Sequence, residues 1–327
     1  MGDIVLTTPA VALLKRGFPE ASLTYVIEEP YRRLVEGHPL IDRVIVVPVK
    51  QNRGDFAKLI RNIRKERFDA LLDFHGGPRA AWITLLGGAR LKIGHQIKTK
   101  GFLYHKTAPR RGTDAPIHSV ETHAGLVRAL GMSFTKEEIP PLALPPTRAE
   151  EIARVDSLGL KDFVVLHIGA GNAFRDWGED NAAALAARLL EIPGLSVAAI
   201  GGPGDREREA RIAERLASPR FVPLSGRLNF IEIRELIARA KAFFGPDSGP
   251  MHLAASTPTP IVAYFGPTLP ALFGPWRPGL DPARTVILQT ELDCRPCRQH
   301  ECVTGDYRCL RSITPEAVFS VSRPFLI

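Results

Sequence analysis

The stretch Phe243-Phe244-Gly245-Pro246-Asp247-Ser248-Gly249-Pro250-Met251-His252 holds the residues best spaced to do chemistry. An apolar run at 242–244 ends at Gly-Pro, and polar turn residues follow before helix formers resume over 251–256. In an open α/β sheet, such a strand–turn–helix presents a ligand site at the C-terminal ends of strands. The first amides of the helix are unpaired and partly positive, so a phosphate is a natural guest there. Gly249 has no Cβ to hold a ligand off the backbone, and His252 stands one turn beyond Ser248. The same residues also describe an ordinary helix with Asp247 and Ser248 as caps, and His252 a packed core histidine.

A second turn of this kind, Gly169-Ala170-Gly171, follows an apolar strand over 163–167 and could cradle a diphosphate. A third, Gly201-Gly202-Pro203-Gly204-Asp205-Arg206-Glu207, could bring Asp205 or Glu207 to a nucleotide ribose, or open a capped helix. Cys294, Cys297, Cys302 and Cys309 fall in one short segment, which leaves a structural zinc or free thiols where disulfides are disfavoured. Their spacing is not that of a paired CxxC ribbon, and no catalytic role is assigned to them.

Charge is unevenly placed. Residues 1–147 hold 22 Lys and Arg against 14 Asp and Glu, whereas residues 148–327 hold 21 of each. The densest basic segment, 90–111, contains Arg90, Lys92, Lys98, Lys100, Lys106, Arg110 and Arg111 and no acid. It suits an anionic partner such as a phosphorylated glycolipid or an anionic membrane face, or it is a solvated basic loop. The chain lacks a nucleic-acid-binding motif and interleaved aromatics, so nucleic acid is excluded as the partner.

Asp247-Ser248-Gly249-Pro250-Met251-His252-Leu253-Ala254-Ala255, with Pro260-Ile261-Val262 and Phe265-Gly266-Pro267-Thr268, closely resembles the family 9 glycosyltransferases. These are the heptosyltransferases of lipopolysaccharide core assembly and their relatives. Gly2-Asp3 before an apolar helix, Arg175-Asp176-Trp177, and the segment from Cys294 to Glu316 extend the resemblance over nearly the whole chain. It implies that Asp3 is the general base and that Arg175, where the family more often has Lys, neutralises the leaving diphosphate. It further implies that Asp247, Ser248, Gly249 and His252 complete the donor site, to which the glycine-rich turns add Gly169, Ala170, Gly171 and Glu207 as donor-binding candidates and the basic segment adds Arg90, Lys92, Lys98 and Lys100 as acceptor-binding candidates. The implied reaction is inverting transfer of heptose from ADP-heptose to an anionic lipopolysaccharide inner core. It would take place in the cytoplasm with peripheral contact at the inner membrane, and with no cofactor required for catalysis. Two rivals stand beside it: a GT-B enzyme with another donor or acceptor, and a non-catalytic anion-binding module.

The elements that must position these residues alternate strand and helix. Strands are expected over 23–27, 43–47, 70–74 and 91–94, with helices over 31–36, 56–67, 79–86 and 118–130. Prolines 140, 141, 145 and 146 mark a linker. Helices over 148–158, 181–190, 206–216 and 231–240 then alternate with strands over 163–167, 196–200, 242–244 and 261–265. This is an α/β chain with a GT-B-like plan, two Rossmann-like parallel-sheet domains facing a cleft. Residues 1–147 form the acceptor-binding domain, ending in the linker, and 148–327 the nucleotide-sugar domain with its Cys-rich loop. Thr8 is expected to cap the first helix, with Pro9 in its first turn. The family's apolar strand before Gly-Asp is replaced here by Met1. The chain is therefore read as starting late, which would leave two strands without their shared neighbour.

Overall fold

The computed structural model describes residues 1–97, 101–110 and 116–326. Met1 and Asp3–Pro145 make one compact unit, and Gly2 with Pro146–Ile327 makes a second.

The second unit is built on one six-stranded parallel sheet. Its strands are β6 (Phe163–His167), β7 (Ser196–Ile200), β8 (Phe221–Pro223), β9 (Phe243–Pro246), β10 (Ile261–Phe265) and β11 (Thr285–Gln289). They lie in the order β11-β10-β9-β6-β7-β8. Its helices are α5 (Ala149–Asp156), α6 (Glu179–Leu190), α7 (Arg206–Leu216), α8 (Phe230–Arg239), α9 (Gly249–Ala255), α10 (Pro270–Phe273), α11 (Arg308–Arg311) and α12 (Pro315–Leu326). Every residue of β6 and β10 is buried, as expected of apolar strands in a parallel sheet covered on both faces. Trp177 tilts against Tyr264 at 4.4 Å between ring centroids, and its Nε1 donates to the Ile313 carbonyl at 2.8 Å. The C-terminal segment is thereby anchored to the core. Strand order reverses between β6 and β9, so the fold's natural ligand crevice lies at the C-terminal ends of those two strands.

The first unit holds β1 (Thr24–Glu28), β2 (Arg43–Val47), β3 (Ala70–Asp73), β4 (Leu91–His95) and β5 (Lys106–Ala108). Its helices are α1 (Gly2–Gly17), α2 (Arg53–Lys65), α3 (Pro78–Leu86) and α4 (Ser119–Arg128). All strand pairs are parallel, but they fall in two sheets, β1-β2 and β3-β4-β5. Among the described residues no strand joins β1 to β3. A cavity of about 590 Å³ is lined instead by both of them, by Met1, Asp3 and Ile4, and by the start of α3.

The beginning of α1 departs from expectation. The helix starts at Gly2, so Thr8 is interior rather than a cap, and Pro9 sits inside the helix rather than in its first turn. Pro9 lacks the N–H that would bond the Val5 carbonyl. The Thr8 hydroxyl donates to that carbonyl at 2.8 Å and accepts from the Ala143 amide at 3.1 Å, so the helix continues without an orphaned acceptor.

Candidate functional site

The C-terminal ends of β6 and β9 bring together His167, Arg175, Asp247 and Ser248. Asp247 is buried, and its Oδ2 accepts from the Thr268 hydroxyl at 2.6 Å. The same oxygen lies 3.6 Å from Arg175 Nη1, which also donates to the Asp247 carbonyl at 3.3 Å. Arg175 keeps about a third of its side chain exposed, and its buried Nε has no hydrogen-bond partner. A partly exposed guanidinium beside a fixed carboxylate can take an anion on its open face while the carboxylate orients hydroxyl groups.

Ser248 begins α9 in an extended conformation, but its side chain does not cap the helix. Its hydroxyl donates to the Pro246 carbonyl and lies 3.0 Å from His167 Nδ1, tying β9 to β6 at the crevice. With the hydroxyl proton on Pro246, His167 supplies the proton of the second bond from Nδ1. Burial lowers the pKa of His167 to about 4; Arg208 lowers it further and Asp176 opposes, so the ring is neutral at pH 7. Ser248 therefore stands at the cap position without acting as the cap the sequence suggests. The helix also has only seven residues, so its terminal partial charge is modest. His252 is buried within it, and Gly249 opens it.

The Gly169 turn is built differently from a bare phosphate cradle. A Cβ on Gly169 would stand 2.3 Å from the Asp205 carboxylate, so glycine is required there by Asp205. Asp205 accepts from the Gly202 amide at 2.7 Å, which holds this carboxylate within its own turn. Ala170 is partly exposed and Gly171 exposed, with open space where a side chain would stand. The turn is clamped by a pair that sequence reasoning missed. Arg208 donates to both Asp176 oxygens, at 3.0 and 2.6 Å, and to the Ile168 carbonyl at 3.1 Å. Glu207 lies exposed on the first turn of α7, and the buried position of that turn belongs to Glu209. Glu209 accepts from the amides of Leu224 and Ser225 and from the Ser225 hydroxyl.

The four cysteines are half-buried thiols. Hydrogen bonding from Thr304 lowers the pKa of Cys302, and burial raises that of Cys309. Among the described residues no three Cys, His, Asp or Glu side chains come close enough to hold a metal ion, so this arrangement does not fit a structural zinc. Cys309 lies in α11 and packs against the core, whereas Cys302 is tied into its own turn beside Thr304.

In the first unit, Asp3 is exposed in the first turn of α1 and lines the cavity beside β1. Arg90 and Lys92 do not gather at a ligand end of the sheet. They stand at the start of β4, the N-terminal edge, where Arg90 reaches Asp69 at 3.8 Å. Lys98 and Lys100 lie outside the described residues. The C-terminal edge of that sheet carries a different set. Asp73, buried at the end of β3, accepts from the amides of His75 and Gly76 and from the Tyr104 hydroxyl at 2.7 Å. Behind it, His95 and His123 are buried with ring centroids 5.8 Å apart. Burial lowers their pKa values to about 4 and about 3, with Arg110 lowering both further. The only trace of this cluster in the sequence is His75-Gly76-Gly77 at a strand end.

Comparison with known proteins bears on the family and the fold. The model of glycosyltransferase family 9 (heptosyltransferase) matches residues 56–308. Lipopolysaccharide heptosyltransferase 3 of Escherichia coli is 26% identical over 291 residues, which covers 84% of this chain and 83% of its own. Lipopolysaccharide heptosyltransferase 1 of Pseudomonas aeruginosa is 28% identical, covering 92% of this chain and 84% of its own. Among solved structures, a family 9 glycosyltransferase from Veillonella parvula superposes with a TM-score of 0.82 at 24% identity, over 99% of this chain and 94% of that one. The ADP-heptose lipopolysaccharide heptosyltransferase II of E. coli gives 0.81 at 22% identity, over 99% of this chain and 95% of that one. The fold is the GT-B-like fold of these enzymes.

Proposed function

The chain belongs to glycosyltransferase family 9, and from that premise we propose that it transfers a heptose, with inversion, from ADP-heptose to an anionic lipopolysaccharide inner core at a membrane face. The observation that carries this reading is the Arg175–Asp247 pair at the reversal of strand order, tied to β6 through Ser248 and His167. In the proposed reaction Asp3 takes the proton of the acceptor hydroxyl. The hydroxyl oxygen then attacks the anomeric carbon, the bond from that carbon to the phosphate oxygen breaks, and ADP leaves. Arg175 meets the charge that develops on the diphosphate, helped by the amides at Gly169–Gly171 and Gly249, while Asp247 holds sugar hydroxyls. Relatives named for ADP-heptose and for lipopolysaccharide support this choice of donor and acceptor.

The test is turnover of ADP-heptose on a lipopolysaccharide acceptor, with UDP- and GDP-sugars in parallel. Arg175→Ala should lower kcat on the order of 10² to 10³, as loss of one transition-state donor does, and Arg175→Lys should recover much of it. Turnover with a UDP- or GDP-sugar in place of ADP-heptose would leave the fold standing and sink the donor assignment. Full activity in Arg175→Ala would remove the proposed role of the pair.

A further inference from the structure

We infer that the first unit carries a docking surface for an anionic lipid bilayer, formed by the apolar outer face of α3 and the basic outer face of α2. Trp82 and Leu86 are one helical turn apart on α3, on the same face, and are 55% and 36% exposed. Phe102, 85% exposed, lies on the 3₁₀ turn Gly101–Leu103 that packs beside α3. Single exposed apolar side chains are ordinary on a protein surface. Three large ones on neighbouring elements, two of them aromatic, make a patch that a partner would cover.

The flank of this patch is basic. Helix α2 packs against α3 and buries Leu59, Ile60 and Ile63. That leaves Lys58, Arg61 and Lys65 directed outward at helical spacing, all exposed. The Arg64 stem lies beside Gly88, just past the end of α3, where a Cβ would stand 3.3 Å from it. Arg53 is exposed as well, and the only acid on the helix is Asp55. These cations are strung along the helix, and the rings of Trp82 and Phe102 are mostly exposed. The surface that matches both is laterally uniform, anionic at the top and apolar beneath. Indole and phenyl rings settle at the headgroup level of a bilayer, and Lys and Arg beside them are drawn to anionic lipids.

This inference deepens the membrane contact included in the proposed function, and its test needs neither donor nor turnover, so either can fail alone. The protein is sedimented with vesicles of phosphatidylcholine, pure or mixed with phosphatidylglycerol. It should bind the mixed vesicles selectively and release them as salt rises. Arg61→Gln/Arg64→Gln/Lys65→Gln should weaken partitioning on the order of 100-fold, at about 5-fold per charge. Trp82→Ser/Phe102→Ser should weaken it about 10-fold or more through lost apolar insertion. All five side chains are exposed, so both variants should keep the parent's melting temperature. Fluorescence should shift to the blue on adding mixed vesicles and fail to shift in Trp82→Phe. The inference is overturned if mixed vesicles do not bind at low salt, or if both variants bind like the parent. It is equally overturned if polyglutamate or single-stranded DNA binds more tightly than the vesicles, or if the variants change self-association instead.

Discussion

The two units follow the same alternation of strand and helix, yet one has a continuous sheet and the other does not. In the second, six parallel strands run unbroken from β11 to β8, and its central strands are buried at every position. In the first, the five strands among the described residues are divided between two sheets, and β1 and β3 are mostly half-buried around a cavity. Arg175 and Asp247 therefore hang from strand ends supported on both sides, whereas Asp3 rides on a helix beside an unpaired strand edge. What differs is the supporting ladder: each unpaired edge exposes backbone donors and acceptors that a neighbouring strand would satisfy.

Hydrogen exchange gives the largest expected difference. Amides of β6, β9 and β10 should exchange about 10³-fold more slowly than the slowest amides of β1 and β3, because opening energies run from near zero at unsupported edges up to the global value in a core. Equal protection in the two units would break the comparison.

Acid should separate them next. His95 and His123 are held neutral in the first unit at pKa values of about 4 and about 3, above all by burial, with Arg110 next at His95 and the His95 ring next, ahead of Arg110, at His123. Asp73 opposes this at His95, and His118 reinforces it at His123. An unfolded histidine titrates near 6.5, so the unfolded chain binds more protons below that value. The stability from keeping these rings neutral is full above pH 6.5 and is lost as pH falls towards 4 and 3. Each ring contributes about 3 to 5 kcal/mol at most. The second unit has one such ring in its crevice, His167. Circular dichroism between pH 7 and 4 should therefore show the first unit unfolding at the higher pH, and His123→Phe should flatten that dependence. A single transition for both units, unchanged in the variant, would count against it.

The same contrast marks what could be read from sequence. Strands β2, β6, β7 and β10 and helix α7 fall where hydrophobic pattern and flanking turns place them. The strands that pattern missed are the short or marginal ones. β5 and β8 have three residues each, too few for a period of two to show, and β11 is an edge strand half-exposed along its length. The crevice was legible because most of it is contiguous, from Phe243 to Thr268, and because Arg175 sits two residues before a tryptophan. The clamps were not. Arg208 reaches Asp176 across 32 positions and Tyr104 reaches Asp73 across 31, and no local spacing announces either pair. The basic run is hard to place from sequence for a related reason. Charge density along the chain does not say which end of a strand a lysine occupies, and Arg90 and Lys92 stand at the end away from Asp73.

The smallest predicted effect tests whether supporting context, rather than residue type, separates the units. Asn52 caps α2 in the first unit and Asn229 caps α8 in the second. Asn52 accepts one bond, from the Asp55 amide at 2.8 Å, at an exposed helix end. Asn229 accepts from the Ile231 and Glu232 amides, its own amide donates to Glu232 at 2.7 Å, and its side chain reaches Glu151 on α5. Removing an asparagine cap costs about 0.5 to 2 kcal/mol. Asn52→Ala should fall at the low end of that range, about 0.5 kcal/mol. Asn229→Ala should fall near 2 kcal/mol, because a reciprocal capping box and a link to a second helix go with it. Urea denaturation followed separately in each unit measures both. If the two costs match, cap strength follows from the residue alone, and the difference between the units is confined to their sheets.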